Sequence, residues 1–179
     1  MEIRNLNISD QMETSFVENL YIESFPPNER RDVDKMMKLY QSETPFFISI
    51  TIEEGRRVGF ITYWKLGDFI FVEHFSIVPE FRNGGYGRKV IELFIREMTK
   101  PILLEVELPV TDLAKRRIDF YQRLGFKRWE NIEYEQPPYT KNEHAIPMNL
   151  MSWGNVDVEE NFTEIRKKIY KKVYNCEKI

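Results

Sequence analysis

The residues Phe71-Val72-Glu73-His74-Phe75-Ser76-Ile77-Val78 read as a strand that ends at Pro79. A glycine-rich turn follows, Arg82-Asn83-Gly84-Gly85-Tyr86-Gly87-Arg88, and then a helix-like stretch, residues 89–98. A strand that passes through such a turn into a helix commits the chain to a layered α and β architecture. It also offers backbone N–H groups and a helix N-terminus to an anion, so a phosphorylated small molecule is the expected cargo. Gly84, Gly85 and Gly87 leave the backbone free for positive φ and for close approach by a ligand. Arg82 and Arg88 are expected to add charge-assisted hydrogen bonds to phosphate oxygens. An R-x-x-G-x-G pattern arises by chance roughly once in some twenty-five chains of this length. Its weight therefore comes from its place between strand and helix.

The spacing excludes two common phosphate binders. A nucleotide P-loop needs G-x-x-x-x-G-K-[ST], and no Ser or Thr follows Lys89. The dinucleotide fingerprint needs a Gly or Ala three residues after Gly87, where Val90 stands. Composition removes other classes. A net charge of −3 argues against a broad nucleic-acid footprint. One cysteine, Cys176, and two histidines, His74 and His144, leave no ordinary metal-ligand set. No apolar run reaches the ~20 residues of a membrane span, and the N-terminal residues lack a signal-peptide pattern. The expectation is a soluble, cytoplasmic protein of 179 residues with no metal, no nucleic-acid partner and no membrane partner.

Periodicity gives the remaining order. Residues 2–6 form a first strand, and a helix enters at Ser9 or Asp10 and runs to Phe25, where Pro26-Pro27 stops it. Val33, Met36, Met37 and Tyr40 mark a second helix. Strands over 46–51 and 58–66 flank the turn Glu53-Glu54-Gly55. The strand before the glycine turn opens at Phe69. After that turn and its helix come a strand over 102–108, a helix over 112–124 capped by Gly125, and strands over 126–134 and 145–152. Phe162, Ile165, Ile169 and Val173 place a final helix within 156–174. The class is α/β in the broad sense (α+β), with an antiparallel first half and a strand-helix-strand unit in the middle.

Arg82-Asn83-Gly84-Gly85-Tyr86-Gly87 resembles the acyl-CoA-binding signature of the GCN5-related N-acetyltransferase (GNAT) family, Q/R-x-x-G-x-G/A. Asp119-Phe120-Tyr121-Gln122-Arg123-Leu124-Gly125-Phe126 resembles the family's late helix, with its Tyr four residues before Gly-Phe. Phe25-Pro26-Pro27-Asn28-Glu29-Arg30-Arg31 resembles uncharacterised bacterial members. The resemblance covers residues 1–152 as one domain and leaves 153–179 as a helical extension packed on it. It implies a mostly antiparallel central sheet with splayed middle strands and helices on both faces.

It also implies roles. Acetyl-CoA would be the co-substrate and CoA a product. The backbone of Phe75 and Ile77 would face pantetheine, and N–H groups of Asn83, Gly84, Gly85, Tyr86, Gly87 and Arg88, with Arg82, would hold the pyrophosphate. The family's matching tyrosine makes Tyr121 the general acid for the leaving thiolate. A lysine-like amine with pKa near 10.4 is only about 0.04% deprotonated at pH 7, so the site must supply a proton acceptor. Glu73 is the candidate base, matching a glutamate proposed in polyamine-type members. It needs an upward pKa shift or a water chain. The other reading of Glu73 is an ordinary ion pair. His74 points away from Glu73 and reads as a packing histidine. Many relatives carry Asn where this chain has Ala114, so a cofactor contact is lost or replaced by Asp112 or Arg117.

Phe25, Glu29, Glu105, Glu107 and Tyr139 are the candidate acceptor wall, with Tyr134 and Trp129 either lining it or packing. Four glutamates, Glu29, Glu73, Glu105 and Glu107, suit a cationic amine. The acceptor is read as a primary amine of a small molecule or peptide, and a homodimer is open. The alternative is a non-catalytic acyl-CoA-binding sensor or subunit.

Overall fold

The computed structural model describes residues 1–140 and 144–177. Its strands are β1 (Glu2–Asn5), β2 (Phe46–Glu53), β3 (Arg56–Lys65), β4 (Ile70–Ile77), β5 (Ile102–Glu107), β6 (Lys127–Gln136) and β7 (Ile146–Trp153). Its helices are α1 (Gln11–Ser24), α2 (Val33–Gln41), α3 (Tyr86–Glu97), α4 (Asp112–Arg123) and α5 (Phe162–Lys172). The strands form one seven-stranded sheet in the order β1-β2-β3-β4-β5-β7-β6. The registers of β1 with β2, β2 with β3, β5 with β7 and β6 with β7 are antiparallel. β4 and β5 are parallel, in register at Ile70–Val72 with Ile102–Leu104. That parallel pair is joined through α3, as a crossover requires.

The chain divides into two compact units, and the division falls inside β4. The first unit holds Met1–Trp64 and Glu73–Glu97; the second holds Lys65–Val72 and Met98–Ile179.

In the first unit α1 starts where Asp10 caps it, its side chain accepting from the N–H groups of Met12 and Glu13. Glu13 is buried, and Arg4 reaches its carboxylate at 2.5 Å. That hydrogen bond holds the Glu13 carboxyl below its ordinary pKa against the opposing effect of burial. Val17, Leu20, Tyr21, Met36, Ile48, Ile50 and Phe60 build the core, each worth about 1.5–3 kcal/mol on burial. Gly59 lets β3 lie close to β4, because a Cβ there would overlap the Ser76 carbonyl and approach Ile77 Cδ1 at 2.8 Å. The hairpin between β2 and β3 turns at Glu54 and Gly55, both with positive φ.

In the second unit Ile102, Leu103, Leu104, Leu150 and Met151 fill the sheet core, with Ile118, Ile165 and Ile169 from the helices. Trp129 is buried and donates to Ser152 Oγ at 2.8 Å, so it packs. α5 is held by its own unit: Lys168 meets Asp68 at 2.6 Å and the Tyr170 hydroxyl donates to the Glu135 carbonyl at 2.6 Å. This helix is shorter than the 156–174 stretch read from periodicity. Asp157 takes the Glu160 N–H at 3.0 Å, and its carbonyl takes the Asn161 side chain at 2.8 Å. Those local bonds favour a turn over helix. Among the described residues no helix is long and apolar enough to cross a membrane, and no cluster of three metal-ligating side chains occurs.

Candidate active site

The glycine turn lies in the first unit, after a short 3₁₀ turn at Pro79–Phe81. Its left-handed residues are Asn83, at φ 62°, and Gly85, at φ 79°. Gly84 and Gly87 do not use positive φ. Asn tolerates the left-handed region better than most residues, so it shares this work with Gly85. α3 begins at Tyr86, three residues earlier than its periodicity suggests, so Gly87 and Arg88 belong to its first turn. Among the described residues the N–H groups of Asn83, Gly84 and Gly85 meet no backbone acceptor. The first N–H groups of a helix are likewise without intrahelical partners. This is a cluster of donors open to an anion, and it fits a pyrophosphate.

The two arginines are arranged differently. Arg82 turns back on its own strand, its Nε donating to the Ile77 carbonyl at 2.8 Å. That carbonyl, expected to face pantetheine, is therefore already engaged. Arg88 pairs with Glu92 one helical turn on, at 2.7 Å and well exposed. The Tyr86 ring stacks edge-on against Phe81 at 4.8 Å, and Arg56 lies over Phe81 at 4.9 Å.

On β4, Glu73 is buried to 1% side-chain exposure, and both carboxylate oxygens are taken. Arg31 Nη2 sits 2.8 Å from Oε1, and the Trp64 indole donates to Oε2 at 2.6 Å. Arg31 also lies over the Trp64 ring at 5.5 Å. Neither partner stands out in the sequence. Arg31 falls in the charged run after the double proline, and Trp64 is an ordinary strand aromatic.

His74, on the opposite face, is fully packed. It meets Tyr21 and Phe25 edge-on at 4.9 and 4.6 Å. The Glu29 carbonyl lies 3.0 Å from Nε2 and can only accept, so Nε2 carries the proton. Nδ1 then accepts from the Thr62 hydroxyl at 3.2 Å. Burial lowers the His74 pKa below its ordinary value, which keeps the ring neutral in this role. Phe25 and Glu29 of the expected acceptor wall are thus His74 contacts. The Phe75 side chain is half-buried.

In the second unit Tyr121 sits on the buried face of α4 between Phe120 and Phe126, at 5.1 and 5.3 Å. The Leu124 and Phe126 N–H groups both bond its carbonyl, so the Gly125 turn fixes its position. Gly125 takes φ 87°, the left-handed conformation that ends such a helix. Burial pushes the Tyr121 phenol up to about 12, opposed by Arg117. Among the described residues nothing hydrogen-bonds its hydroxyl. A tyrosine so buried usually finds a partner.

The other second-unit candidates have partners. Glu105 receives hydrogen bonds from the hydroxyls of Tyr134 and, at 2.6 Å, Tyr174. Burial first, and Glu105 next, raise Tyr134 well above the ordinary phenol range. Glu107 pairs with Arg117. The Tyr139 ring packs tilted against Tyr174 at 5.2 Å. Ala114 is buried on α4, and its N–H goes to the capping Thr111 hydroxyl at 3.1 Å.

Comparison with known proteins shows the family. The model of the acetyltransferase (GNAT) family matches residues 14–126. YjbC of Bacillus subtilis (strain 168), provisionally named an acetyltransferase, is 31% identical over 157 residues, covering 85% of this chain and 78% of its own. A solved structure from Bacteroides thetaiotaomicron, provisionally named a GNAT-family acetyltransferase, is 41% identical with a TM-score of 0.95. That match covers 99% of this chain and 100% of the other. An aminoglycoside 6'-N-acetyltransferase solved with coenzyme A shares the fold at 18% identity and a TM-score of 0.57, over 88% of this chain and 100% of its own.

Proposed function

Since the chain belongs to the acetyltransferase (GNAT) family, we propose that it moves an acetyl group from acetyl-CoA directly to a primary amine of a small molecule or peptide. The observation that carries this reading is the set of open N–H donors at Asn83, Gly84 and Gly85 ahead of α3. With Tyr86, Gly87 and Arg88 they would hold the pyrophosphate. Arg82, tied to Ile77, keeps the turn in shape, and the Phe75 and Ile77 backbone would flank pantetheine. When bound, acetyl-CoA supplies the activated acetyl thioester.

Tyr121 holds its proton at Oη throughout the neutral range, because burial favours the neutral phenol. A phenol near 12 is about 3.5 units above a thiol at ~8.5, so complete proton transfer is uphill by about 5 kcal/mol. Tyr121 therefore acts chiefly by donating a hydrogen bond to the leaving sulfur as charge builds there. Glu73 is the base in this reading. Its Oε1 is held by Arg31, so accepting a proton requires that contact to open. An acceptor arriving as a cation can take the place of Arg31 beside the carboxylate.

The test pairs binding with turnover. Gly85→Val strains a φ of 79° and is expected to weaken acetyl-CoA binding by calorimetry while a panel of primary amines still drives CoA release by the parent protein. No acetyl-CoA binding by the parent protein would sink the reading. For Glu73, the discriminating variant is Glu73→Gln. Loss of the low-pH limb of the rate profile supports a base, whereas a lower unfolding midpoint with an unchanged profile marks an anchor for Arg31.

A further inference from the structure

The second unit contains a cleft of about 560 Å³, to which Tyr134 is the one residue of the expected acceptor wall that contributes. It exists because β6 bulges. Trp129 pairs with Leu150 and Tyr134 with Met148, so four residues of β6 stand opposite Asn149 alone. Its floor is Ile132, Tyr134, Met148 and Asn149, all buried. Its volume lies in the ordinary range of small-molecule pockets.

Two polar groups there lack partners. Asn149 is only 6% exposed, and among the described residues its side-chain amide makes no hydrogen bond. Arg166 reaches the cleft from α5, its guanidinium 5.3 Å from the Phe162 ring centre and 5.9 Å from that of Tyr170. Among the described residues no carboxylate pairs with it, and its Nε is buried without an acceptor. A buried guanidinium nitrogen normally has a partner, so Arg166 is unusual. Glu133 and Glu135 stand exposed at the rim, beside Glu130, which pairs with Arg128 at 2.7 Å.

We propose that this cleft binds an α-amino acid with an apolar side chain. Its carboxylate would meet Arg166 and the Asn149 amide. Its ammonium would meet the glutamate rim, and its side chain would lie on Ile132, Tyr134 and Met148. A simple amine would place a cation by Arg166 and leave that group unpaired. A simple carboxylate would satisfy Arg166 but face Glu133 and Glu135. A ligand bearing both signs satisfies each.

The experiment is calorimetric titration of the full chain, without acetyl-CoA, by L-phenylalanine, phenethylamine and 3-phenylpropanoate. Saturable binding of L-phenylalanine, about tenfold or more tighter than either half-charged analogue, is expected for a doubly recognised zwitterion. Arg166→Met keeps the stem that packs on the rings and should weaken binding about tenfold or more; Arg166→Lys should restore part of it. Asn149→Asp places a negative charge against the carboxylate and should also weaken it. No saturable heat from L-phenylalanine, tighter binding of either analogue, or unchanged affinity in a folded Arg166→Met protein would each overturn the proposal. With acetyl-CoA omitted, the outcome is independent of the transfer reaction.

Discussion

Two strand glutamates, one in each unit, are held in opposite ways. Glu73 has a cation and an indole on its two oxygens, so its charge is neutralised locally. Glu105 receives hydrogen bonds from two phenols, one on each oxygen. The first arrangement is an ionic lock that ties Arg31, in the segment leading into α2, to β4. The second ties Tyr174, just past the end of α5, to β5. An acidic residue on a strand therefore says little about availability to a substrate until its partners are known. A similar contrast divides the tyrosines: Tyr134 is committed to Glu105, while the Tyr121 hydroxyl has no partner among the described residues.

Breaking the ionic lock has the largest predicted effect. Arg31→Met leaves a buried carboxylate without its cation and should cost about 3 kcal/mol in denaturant unfolding. A cost no greater than that of Tyr174→Phe would mean the two glutamates are not held differently. Tyr174→Phe removes one hydrogen bond to a charged group and should cost about 1.5 kcal/mol. A smaller effect separates the faces of β4. The His74 pKa is lowered on folding, so below its ordinary value of ~6.5 the unfolded chain binds more protons than the folded one. Stability should therefore be full above pH ~6.5 and fall as pH drops below it, by at most about 1.4 kcal/mol per pH unit from this residue. Urea midpoints between pH 5 and 8 should show this fall, and His74→Asn should flatten it.

What the sequence reveals follows the range of the interactions. The Asp10 cap, the Glu54-Gly55 hairpin and the Gly125 helix end depend on neighbours a few residues away, and all are legible. The glycine turn is legible as a motif, but its detail is not. Asn83 takes the left-handed conformation, and Gly84 does not need it, because only the folded turn decides which residue reverses the chain. The insertion of β7 between β5 and β6 is a long-range choice that no local pattern encodes. The same holds for the partners of Glu73 and Glu105. Nothing in the sequence pairs Arg31, Trp64, Tyr134 or Tyr174 with a glutamate, and folding alone brings them to those carboxylates.

The most direct measurement compares the parent protein with Tyr121→Phe. Since the Tyr121 hydroxyl has no partner among the described residues, the substitution should leave the unfolding midpoint and the affinity for CoA essentially unchanged. Acetyl transfer to a primary amine, followed by CoA release at saturating acetyl-CoA, should slow by about 100-fold. Equal rates for the two proteins with an amine that turns over would contradict the role given to Tyr121.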